Sequence, residues 1–474
     1  MIDTDLYEAK RLYPFQEQTV KQVLDEFRTN EHPFNLLYQL PTGGGKTVIF
    51  SAIAKQYLQE WGKRVLILTH RIELSVQTSH QLLAIGVKNK IINSEVKTIE
   101  DQLDCDCYIA MVETLNNRLQ DNQDFIENVG LVIVDEAHYN SFRKIFQYYG
   151  NSSILGVTAT PLSSNKTLPL KDHYHKLITG ESIAGLIKMG YLADAETYNY
   201  DVNLHGLKIG NNGDFTISSS DVVYSNFFMQ EKLLFAYEEV ALGTKTLIFN
   251  AGIETSIHVF ELFKKHKYKV KHLDSTFSDK DRKDTLKWFK ETPDAILTSV
   301  GILTTGFDEP TVESIILNRA TKSLTLYYQM IGRGSRILKD KSTFDVIDLG
   351  NNFHRFGPWG ADLDWQRIFR SPNYYLDNLM DDEELESYFI YDMPEELRAE
   401  FSKSENVTFD IKKAYTDSVK AGHSSKVILE RSIAQHALIC SQNSEDVYDA
   451  LILAKKLGDD IDFRIERYSK CISK

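Results

Sequence analysis

Leu40-Pro41-Thr42-Gly43-Gly44-Gly45-Lys46-Thr47 lies between an apolar run and a helix-like one, and it restricts the fold more than any other stretch of the chain. Successive glycines let backbone N–H groups point inward at phosphate oxygens, and the helix that follows adds its positive N-terminal end. That arrangement suits a nucleoside triphosphate. Lys46 would reach the terminal phosphates as a point charge, and the Thr47 hydroxyl would complete the shell of a magnesium ion. The strict octet asks for glycine where this chain has Leu40. Alone, the octet would also fit a glycine-rich turn that opens a helix.

About ninety residues later the aliphatic run Leu131-Val132-Ile133-Val134 ends on Asp135-Glu136-Ala137-His138. Strands buried on both faces of a parallel sheet read as continuous aliphatic runs, and α/β sheets carry their chemistry just beyond the carboxyl ends of those strands. Asp135 is then the magnesium partner. Glu136 could polarise a water against the γ-phosphate, since phosphoryl transfer needs an oriented nucleophile and charge stabilisation.

The chain has 474 residues, 42% of them hydrophobic and 26% charged, with no apolar run long enough to span a bilayer. No basic segment followed by an apolar one opens it, so a cytoplasmic protein without membrane association is expected. The four cysteines, at 105, 107, 440 and 471, contain no CxxC pair, and with His173 and His175 they give no zinc spacing. They read as ordinary thiols. The net charge of −13 argues against a polyanionic partner, but ten acids against two bases fall between Asp381 and Glu405. A local basic track is sufficient for nucleic acid. The lysine-rich run Lys264 to Lys271 reads as a solvated helix end before a strand.

Short β-rich runs at 34–38, 65–69, 108–112, 131–134 and 154–158 alternate with helical patterns, which predicts one doubly wound sheet. The pattern resumes at 246–249, 295–298 and 314–317 after a helix near Ser182 to Met189, predicting a second. The expected fold is α/β, with two doubly wound parallel-sheet domains and a helical accessory domain behind them. The boundaries read as 1–165, a linker at 166–195, 196–355, and 356–474. Residues 207–215 fit a hairpin around a Gly/Asn turn or an irregular loop.

The second half has no phosphate loop and offers arginine instead. In Tyr328-Gln329-Met330-Ile331-Gly332-Arg333-Gly334-Ser335-Arg336, two guanidinium groups lie three residues apart, on one face if the segment is helical. Planar, permanently charged forks suit the oxygens of a transferring phosphoryl group. Groups as distant in sequence as Lys46 and Arg333 can serve one nucleotide only if it is clamped between two domains, so that hydrolysis becomes motion.

Taken in order, these motifs resemble a superfamily 2 helicase of the DEAH type, and in particular the RadD-like DNA helicases. The carrying residues are Arg11 to Gln16, the octet, Thr69 to Leu74, Asp135 to His138, Thr158 to Pro161, Ile248 to Asn250, Thr304 to Asp308 and Gln329 to Arg336. The resemblance implies two tandem RecA-like domains and ATP with Mg2+ as cofactors. It also implies that Gln16 reads the adenine edge, that Thr158 and Thr160 couple hydrolysis to strand movement, that Gly306 and Asp308 lie near the ribose, and that His138 and Gln329 bridge the cleft. Thr42, Gly43, Gly44 and Gly45 line the nucleotide with Lys46 and Thr47. Nucleic acid is expected against His70, Arg71, Thr114 and Thr298, touched mainly at its phosphates. RadD-like proteins carry a cysteine-rich zinc module after the second domain, for which this chain lacks the cysteines.

The expected activity is that of an ATP-dependent DNA motor that unwinds or remodels duplex or branched DNA in repair or recombination, acting as a monomer. An RNA helicase is an alternative, because 2′-hydroxyl contacts leave no short motif. Another is a duplex translocase subunit that docks on a nuclease or other effector, with the acidic segment and the helical tail as partner surfaces.

Overall fold

The aliphatic runs form strands, and the chain divides into two units that each close around their own sheet. The protein is described from a computed structural model, which covers residues 11–99, 104–165, 167–200, 202–210, 213–301, 303, 307 and 309–372. Gly306, Asp308, the acidic segment from Asp381, Cys440, Cys471 and nearly all of the expected accessory domain lie outside the described residues.

The first unit contains β1 (Asn35–Gln39), β2 (Arg64–Thr69), β3 (Asn89–Ile92), β4 (Cys107–Met111), β5 (Val129–Asp135), β6 (Ser153–Thr158) and β7 (Lys176–Thr179). They pair in parallel in the order β3-β4-β2-β5-β6-β1-β7. Leu131, Val132, Ile133 and Val134 of the central strand β5 are completely buried. Each such side chain contributes roughly 1.5–3 kcal/mol when removed from water. The stretch expected to be a linker, 166–195, is not one. β7 within it extends the first sheet at its edge. The expected helix is present at Ile183–Lys188, where the Ser182 side chain accepts a hydrogen bond from the Gly185 N–H.

The second unit contains β8 (Asp194–Asn199), β9 (Thr246–Asn250), β10 (Val270–Leu273), β11 (Ile296–Ser299), β12 (Ser314–Asn318) and β13 (Thr343–Asp348). These are also parallel, in the order β10-β11-β9-β12-β13-β8. Lys264, Lys265, Lys267 and Lys269 lie in solvent at and beyond the end of the helix Ile253–Lys265, as expected, while Lys271 is half-buried within β10. Ile209 and Phe215 pair antiparallel, so the flanks of the 207–215 stretch form a minimal hairpin. Near the end of the described chain, the helix Trp365–Arg370 returns to the first unit. Phe369 joins that unit's core and the Gln366 amide donates to the Leu177 carbonyl at 2.9 Å.

Candidate nucleotide site

The octet follows β1 and opens the helix Lys46–Trp61. Gly43 and Gly45 have φ of 95° and 89°, a left-handed backbone that glycine adopts without a Cβ penalty. Leu40, where the strict pattern has glycine, is completely buried beneath the loop. A Cβ on Gly44 would lie 2.7 Å from its Cγ, so the leucine fills the floor and requires glycine above it. Gln16 braces the same loop. Its amide Nε2 donates to the Gly44 carbonyl at 3.1 Å, and its Oε1 accepts from the Tyr13 N–H at 3.0 Å at the start of the helix Pro14–Thr29.

β5 ends at Asp135, a buried carboxylate one strand away from β1, with β6 between them. Burial and the adjacent Glu136 raise Asp135 above the usual carboxylate range, and the Lys46 ammonium opposes that rise. Asp135 Oδ1 accepts from the Glu136 N–H at 3.0 Å. Glu136 has φ of 54°, rare for a residue with a side chain and held at a cost of about 1–3 kcal/mol. This donor set fits the expected ligands. Backbone N–H groups and Lys46 would meet the charge of bound phosphates, while Thr47 and Asp135 offer the hard oxygen atoms that magnesium prefers.

Behind the acids lies a buried polar cluster. His138 Nδ1 lies 3.0 Å from Thr158 Oγ1 and 3.5 Å from Glu136 Oε2. The Thr158 hydroxyl donates to the Thr160 carbonyl at 3.0 Å and accepts from the Thr160 N–H at 3.2 Å. With the hydroxyl proton assigned there, the neutral tautomer consistent with this geometry has its proton on His138 Nδ1. Burial pushes His138 down to about 4, so the imidazole is neutral near pH 7. Gln39, which the sequence did not single out, joins β1 to the same segment through a 3.0 Å bond to the Ala159 carbonyl.

His70 belongs to this cluster. Its ring lies 4.6 Å from that of Tyr139, which lies 4.2 Å from that of His138. Burial is the main reason that His70 is pushed down to about 4. Arg71 and Thr114 are half-buried at the first turns of the helices after β2 and β4.

Within the second unit, the arginine segment is not helical. The helix Leu324–Ile331 stops before Gly332, and Arg333 and Arg336 occupy the irregular turn beyond it. Glycines at 332 and 334 favour leaving the helix there. Gln329 is on the helix, buried, and its Nε2 has no hydrogen-bond partner among the described residues. Thr298 is fully buried in β11, its hydroxyl accepting from Asn250 Nδ2 at 2.8 Å and lying 2.9 Å from Ser256 Oγ.

Two family profiles match the chain: residues 9–163 fit the one described as type III restriction enzyme, res subunit, and residues 229–338 fit the helicase conserved C-terminal domain. The chain belongs to the superfamily 2 helicases. This is a family of nucleic-acid-dependent ATPases, and the two profiles fall on the two units. IRC3 of Saccharomyces cerevisiae, assigned as an ATP-dependent helicase, is 29% identical over 72% of this chain and 52% of its own length. A 51.5 kDa protein of a Lactococcus phage (isolate 7-9) is 28% identical over 70% of this chain and 69% of its own. The chain therefore spans about half the length of the yeast relative. Among solved structures, a fragment assigned as an HsdR subunit of a type I restriction enzyme from Vibrio vulnificus YJ016 shares the fold. Its TM-score is 0.56 at 22% identity, over 73% of this chain and 66% of that one. Both parallel-sheet units are thus RecA-like. The narrower RadD and DEAH likenesses are not among these matches.

Proposed function

We propose that this chain is an ATP-hydrolysing motor that moves along DNA and remodels duplex or branched substrates, in repair, recombination or restriction. The observation that carries the reading is the buried polar cluster behind the acids: His138, hydrogen-bonded to Thr158, which is itself bonded to Thr160, lies 3.5 Å from Glu136 and so sets the proposed general base next to the backbone that follows β6. In this mechanism Lys46 and the loop N–H groups hold the phosphates. Glu136 takes the proton of the attacking water, and neutral His138 stays hydrogen-bonded to Thr158 as that charge changes. Arg333 and Arg336 stabilise the charge that develops on the transferring phosphoryl group. A magnesium ion held by Thr47 and Asp135 would neutralise phosphate charge when bound. Gln16, already fixed to the loop, has one amide proton and one lone pair left for an adenine edge. Gly306 and Asp308 are assigned to the ribose, and Arg71 and Thr114 to nucleic-acid phosphates.

DNA is favoured over RNA by the profile matched at residues 9–163, whose description is that of a restriction enzyme subunit. The same match supports a second reading, in which the motor moves on duplex DNA without separating strands and serves an effector partner. ATP turnover measured with single-stranded, duplex and forked DNA and with RNA tests the substrate, and strand displacement on the fork separates the two readings. Stimulation by RNA alone would overturn the DNA assignment. Stimulation by DNA without displacement selects the translocase. Glu136→Gln should retain ATP binding and lose turnover by at least about a hundredfold. Arg336→Ala should slow kcat while leaving ATP affinity within about twofold, because a group that acts on the transition state contributes little to ground-state binding. Normal hydrolysis by Glu136→Gln would remove the assigned base.

A further inference from the structure

The turn carrying Arg333 and Arg336 has little regular structure to hold it. Its bonds include two tight turns, Arg333 N–H to the Met330 carbonyl and Gly334 N–H to the Ile331 carbonyl, with Ser335 Oγ donating to the Gly332 carbonyl at 2.8 Å and the Ser335 carbonyl accepting from the Ala193 N–H at 2.8 Å just ahead of β8. Beneath it lies Lys341, a lysine only 8% exposed. Its ammonium donates to the carbonyls of Gly334 at 2.6 Å, Arg336 at 2.9 Å and Pro310 at 3.1 Å. An ammonium has three donors, and here all three are used on backbone carbonyls. The lysine is itself fixed, since Leu338 and Lys341 exchange backbone hydrogen bonds of 3.2 and 3.1 Å across a tight turn.

We propose that Lys341 is the positioning residue of the arginine turn: its charge gathers the carbonyls of Gly334 and Arg336 with that of Pro310 and so fixes the direction from which the Arg336 guanidinium leaves the backbone. This rests on the role given above to Arg336. A lysine that served only stability would more commonly stay at the surface or meet a carboxylate, because burying an ammonium is costly. Glu313 and Glu309 face it from the approach to β12, Arg336 faces it from the turn, and the Phe344 ring of β13 lies 5.8 Å away. Lys245, ahead of β9, faces the same two carboxylates. Burial outweighs these carboxylates and lowers Lys341 to about 8, so its charge is lost within a range that an assay can reach.

The test is a double-mutant cycle of Lys341→Met with Arg336→Ala on the full chain, reading kcat and KM for ATP at saturating nucleic acid and the melting temperature of each variant. Lys341→Met should lower kcat on the order of tenfold with KM within about twofold. In the Arg336→Ala background it should cost less than about twofold, because a displaced turn no longer matters once the guanidinium is gone. Lys341→Arg should recover part of kcat. Losses that multiply fully in the double mutant would overturn the proposal. Arg336→Ala with wild-type kcat would instead remove the arginine's role, and the proposal with it. If Lys341→Met fails to fold, the pH profile decides. The wild type should lose kcat above about pH 8 and Arg336→Ala should lack that limb, whereas an identical limb in both would overturn the proposal.

Discussion

The proposed role of Asp135 as a magnesium ligand requires it to be ionised, yet it is buried beside a second carboxylate and is raised for both reasons. The folded site therefore binds a proton that the unfolded chain, titrating near 3.8, has already released. Between those two values the native state holds more protons, so stability attributable to this group is lost as pH rises and recovered as it falls. Asp135→Asn removes the charge while keeping the shape. The nucleotide-free variant should melt higher than the wild type at pH 7.5, by roughly 2–4 °C for each kcal/mol of relieved repulsion, with turnover abolished. The gap should narrow toward pH 5, where the wild-type carboxyl is neutral in the native state. Melting curves of both proteins from pH 8 to 5 check this. A constant difference across that range would mean that the repulsion is not what the mutation relieves.

At the scale of elements, the arginine turn shows how closely the segment is packed. A Cβ on Gly334 would collide with the Phe344 ring of β13, so the backbone can lie against that strand only with glycine at this position. Gly334→Ala should force the turn off β13, destabilising the protein by about 1–3 kcal/mol as overpacking does. It should also lower kcat for ATP with little change in KM. A variant with normal kcat would show that the turn tolerates displacement. This turn also marks where sequence reasoning stops. Spacing alone puts Arg333 and Arg336 on one helical face, but the glycines at 332 and 334 end the helix first, and Lys341 takes over by contacts that leave no periodic signal. Strands divide in the same way. β1, β2, β4, β5, β6, β9, β11 and β12 are nearly continuous aliphatic runs, so their sequences announce them within one or two residues. β3, β7, β8 and β10 are edge strands with one side free of a neighbour among the described residues, and β13, though interior, breaks its apolar run with Asp345. The Asp194–Asn199 strand alternates exposed with half-buried positions, and β10 carries Lys271 and His272 at its centre. The acids at the end of β5 were legible because a strand terminus and two carboxylates coincide. His70 was not, since its place beside Tyr139 depends on how two strand ends meet in space.

For the whole molecule, a net charge of −13 bears on how the proposed DNA substrate would be held. Each phosphate neutralised by a cationic side chain adds about 0.9 to the slope of log affinity against log salt on duplex DNA, and proteins with six to ten such contacts lose about 10³–10⁵ in affinity between 50 and 200 mM salt. With Thr298 buried and His70 neutral, the one base among the four expected nucleic-acid residues is Arg71, at the entry to the helix Ile72–Ala84. Backbone N–H groups and hydroxyls would supply most remaining contacts, and these release no counterions. The salt slope for duplex DNA should therefore be shallow, about 3 to 5, and Arg71→Ala should reduce it by about 1. Half-maximal stimulation of ATP turnover by the variant should require more DNA at 50 mM salt and become closer to the wild-type value at 200 mM. Anisotropy titrations of a labelled duplex over that salt range measure the slope, and stimulation curves measure the shift. A slope unchanged by the mutation would take Arg71 off the DNA and leave the hydroxyl and backbone groups after β2 and β4 as its track.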